Sequence, residues 1–237
     1  MTTEAPYQPT MMERVLLAGV CADGEIVLVR HAQQAANDLG DPARPKGGDA
    51  PLSDLGLRQA DAVAEELGRQ HVDAVWCSPL LRARETARRI AARHGLEPVV
   101  DDRLVEVGVY RGLPRGATVR GELGLEGEEA VETAFGRTRS WASFPLSESR
   151  QEVAARLGAV LGTLRSVHPD SSRVVVVCHG GIVNAVIRQV VESDFDMLFY
   201  PAHASISRIV RADGRLALST ANEMHHLRHR SDVAVTF

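Results

Sequence analysis

Residues Arg173–Cys178 read RVVVVC, with four valines in succession. Side chains along a strand point alternately to opposite faces, so an unbroken apolar run suits only a strand covered on both sides. This predicts a sheet sandwiched between helical layers. A second run, EIVLV at 25–29, makes the same demand. Helical spacing fills the intervals. Ala60, Val63, Ala64 and Leu67 share a face within 54–70, and Val153, Leu157, Val160, Leu161 and Leu164 share one within 149–167. A short strand is expected at 73–77. Ser78 and Pro79 then read as the N-cap and first residue of a helix burying Ala83, Ala87 and Ile90. The Gly180-Gly181 step opens a further helix over about 182–192, and 205–220 reads as a hairpin around Ala212-Asp213-Gly214. Strands alternating with helices predict a single three-layer α/β/α domain with a mostly parallel central sheet.

The 27 Lys and Arg residues face 31 Asp and Glu, a formal net charge of -4, so the overall field favours neither nucleic acid nor a membrane surface. An anion site would have to be local. Cys21, Cys77 and Cys178 are too few and too scattered for a disulfide framework or a paired metal motif, which fits a reduced cytoplasm. The apolar stretch 15–22 lacks the flanks of a secretion signal and reads as an extra strand, 14–20, able to pair with 25–29 across Ala22-Asp23-Gly24. No run approaches the roughly 20 apolar residues of a membrane span. Residues 38–51, rich in Gly and Pro, read as a long surface loop.

In an open parallel sheet, ligands bind beyond the carboxyl ends of the strands. Arg30 and His31 follow the 25–29 run, and Ser78, with Arg82 one turn later, follows the short strand at 73–77. His179, Gly180 and Gly181 follow the valine run. Two arginines and two histidines would thus meet at one edge. Guanidinium forks match phosphate oxygens, a glycine-opened helix offers free backbone N–H groups, and neutral imidazole is a competent nucleophile near neutrality. The set suits a phosphoryl dianion without a metal.

These segments resemble the histidine phosphatase superfamily, in its phosphoglycerate mutase-like branch. LVRHAQQAAN at 28–37 resembles the nucleophile motif, GDAPLSDLGLRQA at 48–60 the following loop and helix start, and CSPLLRARETA at 77–87 the second-arginine motif. RLVEVGVYRG at 103–112 resembles the acid-bearing segment, SESRQEVAAR at 147–156 the helix after the lid, and VVCHGG at 176–181 the second-histidine motif. The resemblance implies that His31 attacks phosphorus and becomes a phosphohistidine. Arg30, Arg82 and His179 would hold the phosphoryl oxygens, with Asn37 and Gly180 lining the phosphate pocket. Glu106 would be the general acid and then the general base. Ala32 replaces a glycine usual after the nucleophile, Gln33-Gln34 stands where an acidic and a hydroxyl residue are frequent, and Ser147 replaces a glycine before Glu148. The resemblance divides the chain into an N-terminal extension, 1–24, and a catalytic domain, 25–237, with a lid at about 107–147. A protonated His179 would favour a dianion.

The cysteines invite a different mechanism, but a cysteine phosphatase loop needs an arginine six positions on, and Asn184 and Ala83 stand there. Both thiols therefore read as packing residues. His225, His226 and His229 lack a completing carboxylate or cysteine nearby and read as a solvated polar tail. Arg111, Arg115 and Arg120 read equally as a solvated face or as contacts to a second anionic group. Within the family the acceptor is water or a phosphoglycerate. Residues 107–145 contain no lysine, Tyr110 is their only tyrosine, and GELGLEGEEAVE is acidic, which favours water. The expected activity is hydrolysis of a small phosphorylated metabolite, with a phosphoglycerate mutase as the alternative and a non-catalytic phospho-ligand binder as the alternative of another class. No cofactor, nucleic acid or membrane is implied, and a homodimer is allowed for.

Overall fold

The computed structural model describes residues 24–35, 49–109, 111, 119–212 and 215–237. Its spine is a six-stranded sheet in the order β3-β2-β4-β1-β5-β6. The strands are β1 (Gly24–Arg30), β2 (Ala74–Cys77), β3 (Val99–Val100), β4 (Arg173–Cys178), β5 (Ile206–Ala212) and β6 (Arg215–Glu223). β3, β2, β4 and β1 run parallel, while β5 pairs antiparallel with both β1 and β6. The sheet is thus mixed, with a parallel core, as the valine run requires. β1 has β4 on one edge and β5 on the other, so it offers no edge to the hairpin expected with 14–20. That segment, like 38–48, Cys21, Asn37, Tyr110 and Arg115, lies outside the described residues.

Alternation along the strands divides the core in two. Val27 and Val29 of β1, Val75 and Cys77 of β2, and Val175 and Val177 of β4 face one apolar cluster with α1 (Asp54–Leu67) and α2 (Leu81–Ala92). Ile26, Leu28, Trp76, Val174 and Val176 face the other, packed on α4 (Arg150–Val167) and α5 (Gly180–Val190). Both helix pairs expected from spacing are present. Ser149 caps α4 through a capping box with Glu152. Along the chain between β3 and α4 comes α3 (Val119–Thr138), which was not expected; it kinks at Gly124, whose φ is +71°.

The connections leaving β1 and β4 run to opposite sides: β1 leads over to β2 beyond β4, and β4 leads to β5 beyond β1. This divergence leaves a crevice at the carboxyl ends of the two central strands. The ladders also align those ends, because Arg30 is opposite Cys178 and Cys77 is opposite Val177. The residues that follow each strand therefore emerge side by side.

Candidate active site

His31 leaves the end of β1 with only 5% of its surface exposed. Its backbone N–H donates to the Cys178 carbonyl at 2.9 Å, and the N–H of Ala32 donates to Thr86 Oγ1 at 3.1 Å. The ring is held as firmly as the backbone. Nδ1 lies 2.8 Å from the Ala32 carbonyl, which can only accept, so Nδ1 carries the proton. Nε2 is then the lone-pair nitrogen, and it accepts from Arg82 Nε at 3.2 Å. Burial first, and then the neighbouring His179 ring and Arg82 guanidinium, hold this imidazole well below its ordinary range.

His179 follows β4 and is fully buried. Arg82 Nη2 stands 3.4 Å from its Nδ1 and can only donate, so Nδ1 is the acceptor and Nε2–H donates to Ser78 Oγ at 2.8 Å. His179 is therefore neutral in the free site, an assignment that agrees with burial and then Arg82 lowering its pKa. The protonated form expected from the sequence requires proton uptake. Ser78 is not the N-cap of α2. That position belongs to Leu80, and Ser78 Oγ instead serves His179 and accepts from the Leu80 N–H at 3.3 Å.

Arg30 lies beneath Tyr200, its Cζ 5.2 Å from the ring centre, and donates to the Pro201 carbonyl and to His203 Nε2, the latter at 3.0 Å. Its Nε is buried without a hydrogen-bond partner. His203, absent from the sequence-based set, is 5.5 Å from His31 between ring centres and is tied to Thr236 through Nδ1 at 3.0 Å. Burial and the adjacent Arg30 push its pKa down to about 4. It is thus a neutral acceptor for the guanidinium.

Glu106 follows the single-turn helix at Asp102–Leu104. Its Oε1 accepts from the Val107 N–H at 2.8 Å and its Oε2 from the Gly181 N–H at 3.2 Å. Burial nevertheless raises its pKa, the two N–H donors only partly offsetting it. Gly181 must be glycine for this approach, since a Cβ there would lie 2.5 Å from Oε1. Gly180 begins α5 beside Arg30 Nε. Arg156 fixes the segment behind the acid, donating to the carbonyls of Arg103 at 2.6 Å, Val105 at 3.0 Å and Glu106 at 3.4 Å while pairing with Glu148 at 2.7 Å.

Of the sequence-based set, Arg30, His31, Arg82, Glu106, His179 and Gly180 converge on one crevice. Arg111 pairs with Glu148 and Glu152, at 3.2 and 3.1 Å, and Arg120 with Glu128 at 2.6 Å. The expected polar tail is in part interior: His226 lies in α6 (His225–Arg228), buried, with its ring against the Ala204 carbonyl at 2.9 Å. No group of three or more His, Cys, Asp or Glu among the described residues is placed to hold a metal ion. Nor is any described helix long and apolar enough to cross a membrane.

The chain belongs to the histidine phosphatase superfamily, branch 1, whose family model matches residues 26–224. It is 34% identical over 162 residues to phosphoserine phosphatase 1 of Hydrogenobacter thermophilus, covering 65% of this chain and 70% of that one. It is 30% identical over 209 residues to a metal-independent phosphoserine phosphatase of Arabidopsis thaliana, covering 86% and 83%. A solved mycobacterial glucosyl-3-phosphoglycerate phosphatase superposes with a TM-score of 0.69 at 27% identity, over 84% of this chain and 98% of its own.

Proposed function

We propose that this chain, a phosphoric monoester hydrolase, passes the phosphoryl group of a small phosphorylated metabolite first to Nε2 of His31 and then to water. In the first step the N–P bond forms as the ester P–O bond breaks, and Glu106 gives its proton to the departing oxygen. In the second, the Glu106 carboxylate takes a proton from water, whose oxygen bonds to phosphorus as the N–P bond breaks. The products are the alcohol and inorganic phosphate.

The observation that carries this reading is the tautomer of His31. With Nδ1–H committed to the Ala32 carbonyl, the only lone pair of the ring is at Nε2, beside the Arg82 guanidinium. The buried, unpartnered Nε of Arg30 supplies a further donor suited to an anion. Arg30 and Arg82 neutralise the phosphoryl oxygens, and Gly180 and Asn37 complete the pocket, Asn37 on its sequence position alone. His179 contacts a phosphoryl oxygen as a donor once its Nδ1 gains a proton, so dianion binding is coupled to proton uptake. The guanidiniums supply the charge that a metal would otherwise bring. Two free, buried thiols, Cys77 and Cys178, accord with action in a reducing cytoplasm.

The test is to trap radiolabelled phosphate on the wild-type chain and on His31→Ala, and to measure phosphate release from metabolite monoesters with EDTA present. Label on the wild type alone, with EDTA-resistant release, supports the reading. Transfer to 3-phosphoglycerate in place of release would make the chain a mutase, and neither label nor release would make it a binder.

A further inference from the structure

The crevice has two chemically distinct halves. Beside the cationic phosphate groups lies a cavity of ≈ 250 Å³ that touches Arg30, Glu106, Gly180, Gly181 and the Tyr200 phenol and is otherwise walled, among the described residues, by apolar groups. Phe135, Trp141, Phe144, Met197 and Val107 form most of that wall. The rings are one cluster: Phe135 stacks on Trp141 at 6.0 Å and tilts against Phe144 at 4.8 Å. They come from the end of α3 and the turn that follows it, within the segment expected to be a lid. Because the cavity opens on Glu106, it lies where the alcohol half of an ester would sit when Glu106 protonates the departing oxygen.

The described cations around this wall are engaged elsewhere. Arg111 is paired with Glu148 and Glu152, Arg120 with Glu128, and Arg139 lies over the Phe195 ring at 5.4 Å. Arg156 is bound to Glu148 and to backbone carbonyls. Among the described residues, no cation besides Arg30 lines the cavity to meet a second negative charge, and a carboxylate there would lose hydration without gaining a cationic partner beyond the one that holds the phosphate. An apolar cavity of about 150 Å³ already admits benzene, so this one accepts a ring with a short linker.

We infer that the alcohol half of the substrate is an uncharged hydrocarbon group of about ring size, selected by Phe135, Trp141 and Phe144. The inference rests on the phosphatase reading above. It sets this chain apart from enzymes whose leaving alcohol is zwitterionic or a carboxylate.

The experiment compares kcat/KM for 2-phenylethyl phosphate, ethyl phosphate, O-phospho-L-serine and 3-phosphoglycerate. All four release alkoxide oxygens, so aryl leaving-group reactivity does not enter. The expected result is that 2-phenylethyl phosphate exceeds each of the others by about tenfold or more, the discrimination a hydrophobic pocket provides. In Phe135→Arg, the ratio of kcat/KM for 2-phenylethyl phosphate to that for 3-phosphoglycerate should fall by about tenfold or more. That ratio does not depend on the fraction of enzyme folded. Equal or better turnover of either charged ester, or a ratio unmoved in Phe135→Arg, overturns the inference and leaves the phosphatase reading standing. No release from any ester, with no label on His31, overturns both.

Discussion

Gly181→Ala isolates the role of Glu106 without replacing a polar side chain. The new Cβ would lie 2.5 Å from Glu106 Oε1 and 3.0 Å from Val107 Cγ2. A carbon–oxygen contact relaxes to about 3.3 Å or more, so the carboxyl must move by about 0.8 Å. The move stretches the 3.2 Å bond from the Gly181 N–H and takes the acid off the line of the leaving oxygen. Displacements near 1 Å cost roughly 100-fold. The expected loss in kcat/KM on an alkyl monoester is therefore about 30- to 100-fold, or about 2 to 2.7 kcal/mol of transition-state stabilisation. p-Nitrophenyl phosphate departs as a stable anion and needs little proton donation, so its loss should stay within about fivefold on the same argument. Alanine is favoured over glycine in a helix by up to about 1 kcal/mol, so α5 itself should not be weakened. The assay is phosphate release from both esters by the same preparation, with Tm measured alongside. Equal losses on the two esters would show that the Cβ disturbs the phosphate groups instead of the acid. An undiminished rate on the alkyl ester would remove Glu106 from the mechanism.

Glu106→Gln should lower turnover of alkyl esters by about 10²- to 10⁴-fold. Because burial raises the Glu106 pKa above its ordinary 4.5, the wild-type rate should fall as pH rises through that higher value, and the variant should lose this basic limb. Ser78→Ala strips the acceptor from a fully buried His179 N–H and should cost about 1–3 kcal/mol of stability by denaturant titration. Imidazole ¹⁵N shifts of the wild type should place the proton on Nε2 of His179 and on Nδ1 of His31, and the reverse pattern would undo the tautomer assignments. Inorganic phosphate should bind with net proton uptake, read by calorimetry in buffers of different ionisation enthalpy. Binding should weaken as pH rises, because the depressed His179 pKa climbs when a dianion arrives; buffer-independent heat would contradict this. His203→Leu removes the acceptor at 3.0 Å from Arg30 Nη2 and should raise KM for a monoester by about tenfold through a misplaced guanidinium, with Arg82 unaffected.

Most of the crevice was legible because parallel strands deliver their carboxyl ends to one edge. The rule of looking just past each buried strand reaches Arg30, His31, Arg82 and His179, and the ladders that align Arg30 with Cys178 and Cys77 with Val177 explain why it works. Helices with a continuous apolar face were equally plain. What escaped did so for physical reasons. α3 has four glycines and a chain of acids; Val131 is buried, but of its side chains only Phe135 packs against the apolar cluster, so no helical stripe marks it. Ser78 followed by proline carries the signature of a cap, and only the fold reveals that its hydroxyl faces a histidine 101 positions away. Arg156 sits on α4 as a charge that reads as solvated, whereas its partners are carbonyls 50 to 53 positions upstream.

His203 is the most instructive omission. It precedes β5, and a search confined to the ends of strands passes over residues at their beginnings. Yet β5 is antiparallel to β1, with Ile206 opposite Val29, so its amino end lies where the carboxyl ends of the parallel strands gather. Ala204, at φ +57°, donates its N–H to the Arg30 carbonyl at 3.0 Å, which brings residue 203 against the guanidinium. In a mixed sheet, then, the residues to inspect are those after each parallel strand and those before each antiparallel one. Applied here, that rule reaches His203 from the sequence alone once the direction of β5 is known.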